Sequence, residues 1–251
     1  MKRLVLPLLA LLTVSGCSHR YYAEDLKSLS EADQGANTTI ADDGTVSFAE
    51  GRLEVSMRPM TDEELNRLFA DYSSEGPDSR NPYTFGNSTY FRTGETPQRF
   101  TVFRVSVSNY EYPKVYLDPT KVYITTSNGR KYHSLTLQML EVYYRRYIGG
   151  GSGGNAPGVS GIAYNVMNER DAILRRTMFA DEQLFSAQDR VGYLVFKPLA
   201  MDVDKLSVHI PDVVVRFDYQ GDPAESIDIE MHFEREIGRI YPDGRKVASG
   251  R

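Results

Sequence analysis

The chain contains a single thiol, Cys17, in 251 residues. One cysteine can form no disulfide within the chain and no thiolate cluster for zinc or iron–sulfur. Its thiolate is still the only strong nucleophile available for acyl or alkyl capture. What precedes it bears on its use. Lys2 and Arg3 make a short cationic start, and Leu4 to Val14 follow without a charge. That run is too short for a spanning helix, which needs about 20 apolar residues. A charged start and a short apolar core are the layout of a secretory signal peptide. The run closes on Val14-Ser15-Gly16-Cys17.

Other groupings offer weaker chemistry. Asp228, Glu230, His232 and Glu234 fall at period two. Oxygen and imidazole ligands so spaced could share a metal, with His209 coming across from a neighbouring strand. The same spacing is that of a solvated sheet face, which is the reading adopted here, with no metal ligand assigned. The spacing assigns neither His19 nor His133 to a site. The tract from Gly149 to Gly161 satisfies G-x-S-x-G at Gly150–Gly154 and G-x-G-x-x-G at Gly149, Gly151 and Gly154. The first pattern needs a strand before it and a helix after it, and the second a parallel βαβ unit. Neither context is present, so the tract reads as a flexible loop with no cofactor site. No spacing selects a carboxylate pair for glycoside cleavage, and no catalytic residue is assigned.

A recognition surface has one candidate, Tyr143-Tyr144-Arg145-Arg146-Tyr147, in a chain with 17 tyrosines and no tryptophan. Around a helix these five side chains cannot all face inward. Tyrosine and arginine are enriched at binding hot spots. In the competing reading the rings pack on a sheet and Arg145 and Arg146 run their stems along it.

The segment ending at Cys17 resembles a bacterial lipoprotein precursor, with Val14-Ser15-Gly16-Cys17 as its lipobox. The resemblance implies cleavage before Cys17, a thioether-linked diacylglyceryl group on the sulfur and often a third acyl chain on the new amine. Two or more chains anchor stably, whereas one holds only marginally. Ser18 stands where many Gram-negative lipoproteins retained in the inner membrane carry Asp. The resemblance therefore implies the outer membrane, with the body facing the periplasm. Removing residues 1–16 takes away Lys2 and Arg3 and leaves 27 cationic against 34 anionic side chains. The whole chain already has a net charge of −5, which excludes a general nucleic-acid binder.

The elements follow from periodicity. Residues 17–44 are polar and acidic with no sustained apolar period, and read as a lipidated, flexible tether. From Thr45 the period switches to two. A hairpin is expected across Val46–Met57, and Thr61-x-x-Glu64 is a capping box opening a short helix. Residues 73–99 read as a long loop. Strands are expected at 100–109, 114–117, 121–126, 191–196, 206–210, 213–219 and 226–233. Helical spacing appears at 135–147 and 165–179, a helical excursion (135–179) whose middle, 149–161, is expected to be disordered. The fold class is mainly β: an antiparallel β-sandwich, immunoglobulin-like in a broad sense, spanning 45–238 with a tail at 239–251. The body is similar in layout to uncharacterised bacterial lipoproteins with one immunoglobulin-like domain. The expected function is a non-catalytic envelope lipoprotein that binds or scaffolds an envelope protein or glycan. A hydrolase on the same scaffold and a small-ligand or metal carrier are the alternatives.

Overall fold

A computed structural model describes residues 19–74, 79–89, 94, 96–149 and 161–248, with the backbone alone at 146–149 and 161–163. Strands dominate, and three α-helices accompany them. The first strands are β1 (Arg20–Ala23), β2 (Lys27–Ser28), β3 (Thr38–Ile40), β4 (Val46–Glu50) and β5 (Leu53–Met60). Helix α1 (Asp62–Leu68) follows, and then β6 (Thr101–Asn109), β7 (Lys114–Val115), β8 (Tyr123–Thr126) and β9 (Lys131–His133). Helices α2 (Leu137–Gly149) and α3 (Gly161–Thr177) precede β10 (Leu184–Phe185), β11 (Gln188–Phe196), β12 (Lys205–Phe217), β13 (Pro223–Glu234), β14 (Ile237–Ile240) and β15 (Lys246–Ala248).

Two five-stranded antiparallel sheets form the body, in the orders β11-β6-β5-β4-β3 and β2-β13-β12-β8-β9. Alternation explains why they pair. In β5, Leu53, Val55 and Met57 are buried and their neighbours half-buried; in β13, Ile229, Met231 and Phe233 are buried and Asp228 and Glu230 exposed. Both buried rows enter one hydrophobic cluster with Phe103, Val208 and Ile124, so the sheets share a core in a sandwich-like arrangement. The first sheet also buries its other face. Val102 and Val195 join Leu65 of α1, Leu140 and Tyr144 of α2 and Ile173 and Leu174 of α3 in a second cluster. That face explains the consecutive apolar residues Val102-Phe103 in β6 and Tyr193–Phe196 in β11.

Four expectations need correction. The tether is the first. The described part of 17–44 carries β1, β2 and β3, all of them paired. These strands have two to four residues, too few for a period to show. Side chains complete them: Gln34 donates to the His232 carbonyl at 2.7 Å and accepts from the His232 amide at 2.9 Å, pairing with β13 as a strand residue would. Second, the tail expected at 239–251 holds part of β14 and all of β15, so the ordered body runs past 45–238 at both ends. Third, the strands expected at 206–210 and 213–219 are one strand, β12, with a bulge at Pro211 and Asp212. Pro211 offers no amide to the ladder. Asp212 takes φ 53° and donates its amide to the Asp228 carboxylate at 2.9 Å.

The fourth concerns the long loop. Its described part has no regular structure, yet Ser79, Asn81, Tyr83 and Thr84 are fully buried, and Tyr83 belongs to the second cluster. Its carbonyls are satisfied by the helices: Arg170 donates to Ser79 and Tyr144 to Pro82. The capping box on α1 forms as expected, with Thr61 Oγ1 accepting from the Glu64 amide and Glu64 accepting from the Thr61 amide.

Candidate functional site

A cleft of about 490 Å³ lies where β5 turns into α1. Pro59, Met60, Thr61 and Asp62 line it together with residues 23–26, Thr96–Gln98, Met201 and Arg235. The capping box fixes the geometry. Glu64 is held by Thr61 and by Arg58, whose Nη1 lies 2.6 Å from the Glu64 carboxylate. The neighbouring Asp62 is then the carboxylate left facing the cleft. Burial raises its pKa, the nearby Asp25 raises it further and Arg99 lowers it, leaving it pushed up to about 7. Asp25, which also lines the cleft and is more exposed, is raised in the same direction, first by burial and then by the charges of Glu24, Glu64 and Glu63. Arg235 is oriented by donating to the carbonyls of Val203 at 2.8 Å and Ala200 at 2.6 Å.

This arrangement has definite chemical capacities. A carboxyl that titrates near neutrality can donate a proton or accept one. A protonated amine entering between Asp25 and Asp62 would pull both toward the ionised form. Met60, Met201 and Val102 supply apolar surface around the carboxyls, the usual composition of a ligand cleft. Sequence reasoning missed this pair. Asp25 and Asp62 are 37 positions apart with no periodic relation, and only the folding of residues 19–44 onto the body brings them together. The Thr61-Asp62 start of α1 was the sole legible half.

The residues singled out from sequence distribute differently. Cys17 lies outside the described residues, as do positions 150–160 of the glycine tract. Of the helix cluster, Tyr144 is 2 % exposed, with its hydroxyl on the Pro82 carbonyl and its ring under the guanidinium of Arg170. It is core, and the expectation that it faces a partner is corrected. Its place in the α2 period, with Leu140 one turn earlier, puts it on the buried face. Tyr143 is half-buried against Phe100 and Tyr144. Arg145 is exposed, 3.9 Å from Glu141. The side chains of Arg146 and Tyr147 lie outside the described residues.

The polar row on β13 faces outward. Asp228 accepts from the Asp212 amide, and Glu230 lies 3.8 Å from both His209 Nε2 and His232 Nδ1. Each ring nitrogen is already bonded to a hydroxyl, His209 to Thr125 at 2.7 Å and His232 to Ser207 at 2.8 Å. Glu234 lies near Lys205. His133 sits in β9 beside Tyr123, and His19 stacks edge-on to Tyr21. Among the described residues, no group of three or more His, Cys, Asp or Glu side chains is placed to hold a metal. Among them also, no helix is long and apolar enough to cross a membrane.

Comparison with known proteins returned no match to a family model, a curated protein or a solved structure.

Proposed function

We propose that this chain is an envelope lipoprotein, acylated at Cys17, whose β body binds or scaffolds another envelope component without catalysing a reaction. The observation that carries the reading is Val14-Ser15-Gly16-Cys17, placed after a short apolar run and holding the sole cysteine. Ser18 favours the outer membrane. We read the sandwich-like body as immunoglobulin-like in the broad sense. Two antiparallel sheets with a shared core support that reading. The cleft beside Asp25 and Asp62 is the binding site we favour, and its acidic, partly apolar walls suit a segment carrying an amine. Photo-crosslinking from Gln98, in its lining, in intact cells tests this. A specific adduct, lost when Asp25 and Asp62 are both changed to Asn, is expected. Adducts indifferent to those changes would refute the site.

One observation favours a second reading, a hydrolase. Asp62, pushed up to about 7, has the titration range of a general acid or base. Turnover of peptidoglycan or a polysaccharide that is abolished in Asp62→Asn would replace the binding reading with this one.

A further inference from the structure

The small sheet β1-β14-β15 is built from the two chain ends and belongs to neither large sheet. Its register places Tyr21 opposite Arg239, and Arg239 opposite Val247. Side chains two positions away share that face, so His19, Tyr241 and Arg245 join the row. The contacts are continuous. His19 lies 5.2 Å from the Tyr21 ring and 6.2 Å from the Tyr241 ring. The guanidinium of Arg239 lies 5.7 Å from the centre of Tyr21, and that of Arg245 4.9 Å from the centre of Tyr241. Tyr21 is 54 % exposed and Val247 42 %. Asp243, in the turn, lies 3.9 Å from Arg245. The opposite face carries buried Tyr22, bonded to Glu236 at 2.7 Å. An exposed face of tyrosines and arginines in an otherwise acidic chain is a local inversion of charge.

We infer that this face rests on the anionic headgroups of the anchoring bilayer. The inference extends the lipoprotein reading and depends on it. Two observations select the occupant. The first is covalent length. His19 is two residues from Cys17, and two residues span at most about 7 Å. A headgroup layer is about 5–7 Å thick. Acyl chains on Cys17 therefore hold the start of β1 at the lipid surface, with no long leash. The second is chemistry. Tyrosine concentrates at the membrane–water boundary, and arginine near it is drawn to anionic lipid. The large sheets then project away. Tyr219, in the turn between β12 and β13, is 93 % exposed and lies at the far end of β13, about 35 Å from its junction with β14.

The absence of tryptophan supplies the test. Tyr21→Trp and Tyr219→Trp versions of the acylated protein are reconstituted into vesicles of phosphatidylethanolamine and phosphatidylglycerol carrying a headgroup-level quencher. The Tyr21→Trp emission should shift to the blue and be quenched, while Tyr219→Trp should match its value in detergent-free buffer. Adding Arg239→Glu and Arg245→Glu should relieve the quenching. In the unacylated Cys17→Ser chain the same pair should weaken vesicle association about tenfold or more. Equal behaviour of the two tryptophans, or quenching unchanged by charge reversal, would overturn the inference. So would a blue shift that follows protein concentration and needs no lipid, since that would place a second copy on the patch. The mass of the N-terminal peptide reports acylation separately. An acylated Cys17 with an unquenched Trp at 21 removes only the headgroup contact, whereas an unmodified Cys17 removes the anchor and this inference with it.

Discussion

Asp62 carries a measurable signature at the level of a single residue. Its folded pKa lies above that of an exposed aspartate, so between the two values the folded state binds more protons than the unfolded one. Stability from this group is therefore complete at acid pH and is lost as pH rises through about 7. The loss is on the order of 2 kcal/mol once solvent screening of a half-buried carboxyl is allowed for. Asp62→Asn should flatten the dependence, leaving the variant more stable than the parent at about pH 8 and nearly equal only at about pH 3, below the pKa of the unfolded aspartate. Urea denaturation at both values checks this, and parallel pH profiles would count against it. Arg170 is the contrasting case, a charge that is structural. It is 5 % exposed and donates through Nε and Nη2 to the Ser79 carbonyl. Arg170→Ala should cost about 2–3 kcal/mol, because a buried carbonyl loses its donors and Tyr144 its neighbour. Arg170→Lys should recover only part, since an ammonium cannot reproduce the fork. The sequence places Asp62 at a helix start but gives neither its burial nor the role of Arg170. Arg170 looks like any helix-surface arginine until the loop carbonyl it serves is placed against it.

The elements that sequence predicts well are those whose own side chains carry the signal. The hairpin of β4 and β5, the alternation of β13 and the capping box of α1 all rest on spacing within one segment. The elements it misses draw their stability from elsewhere. β1 has four residues and no period; it exists because β14 pairs with it and because Gly238 leaves room for the Tyr22 ring opposite. A Cβ on Gly238 would lie 2.6 Å from that ring and 2.3 Å from the Val247 carbonyl oxygen. Gly238→Val should therefore detach β1. Amide exchange in Arg20–Ala23 should accelerate by at least tenfold, while β5 and β6 keep their protection. Uniform acceleration across both regions would show instead that the small sheet is integral to the main core. The same logic explains the loop at 73–99. Its Gly, Pro and Asn content signals irregular backbone correctly, but irregular backbone can still fill a core when helices supply donors to its carbonyls.

At the scale of the whole molecule, the described chain places its two ends side by side in one small sheet, a cleft with two carboxylates next to it, and two larger sheets with a helical cover beyond. A body joined so closely to Cys17 would have a fixed orientation on a membrane, with its cleft near the lipid and the β12–β13 turn far from it. That geometry has meaning only if the sulfur is acylated. The decisive measurement is metabolic labelling with radioactive palmitate, followed by fractionation of cells producing the parent or Cys17→Ser chain. The account predicts label in the parent alone, with the parent in the outer-membrane fraction and the variant displaced from it. A parent that takes up no palmitate, or a variant that fractionates with the parent, would contradict it.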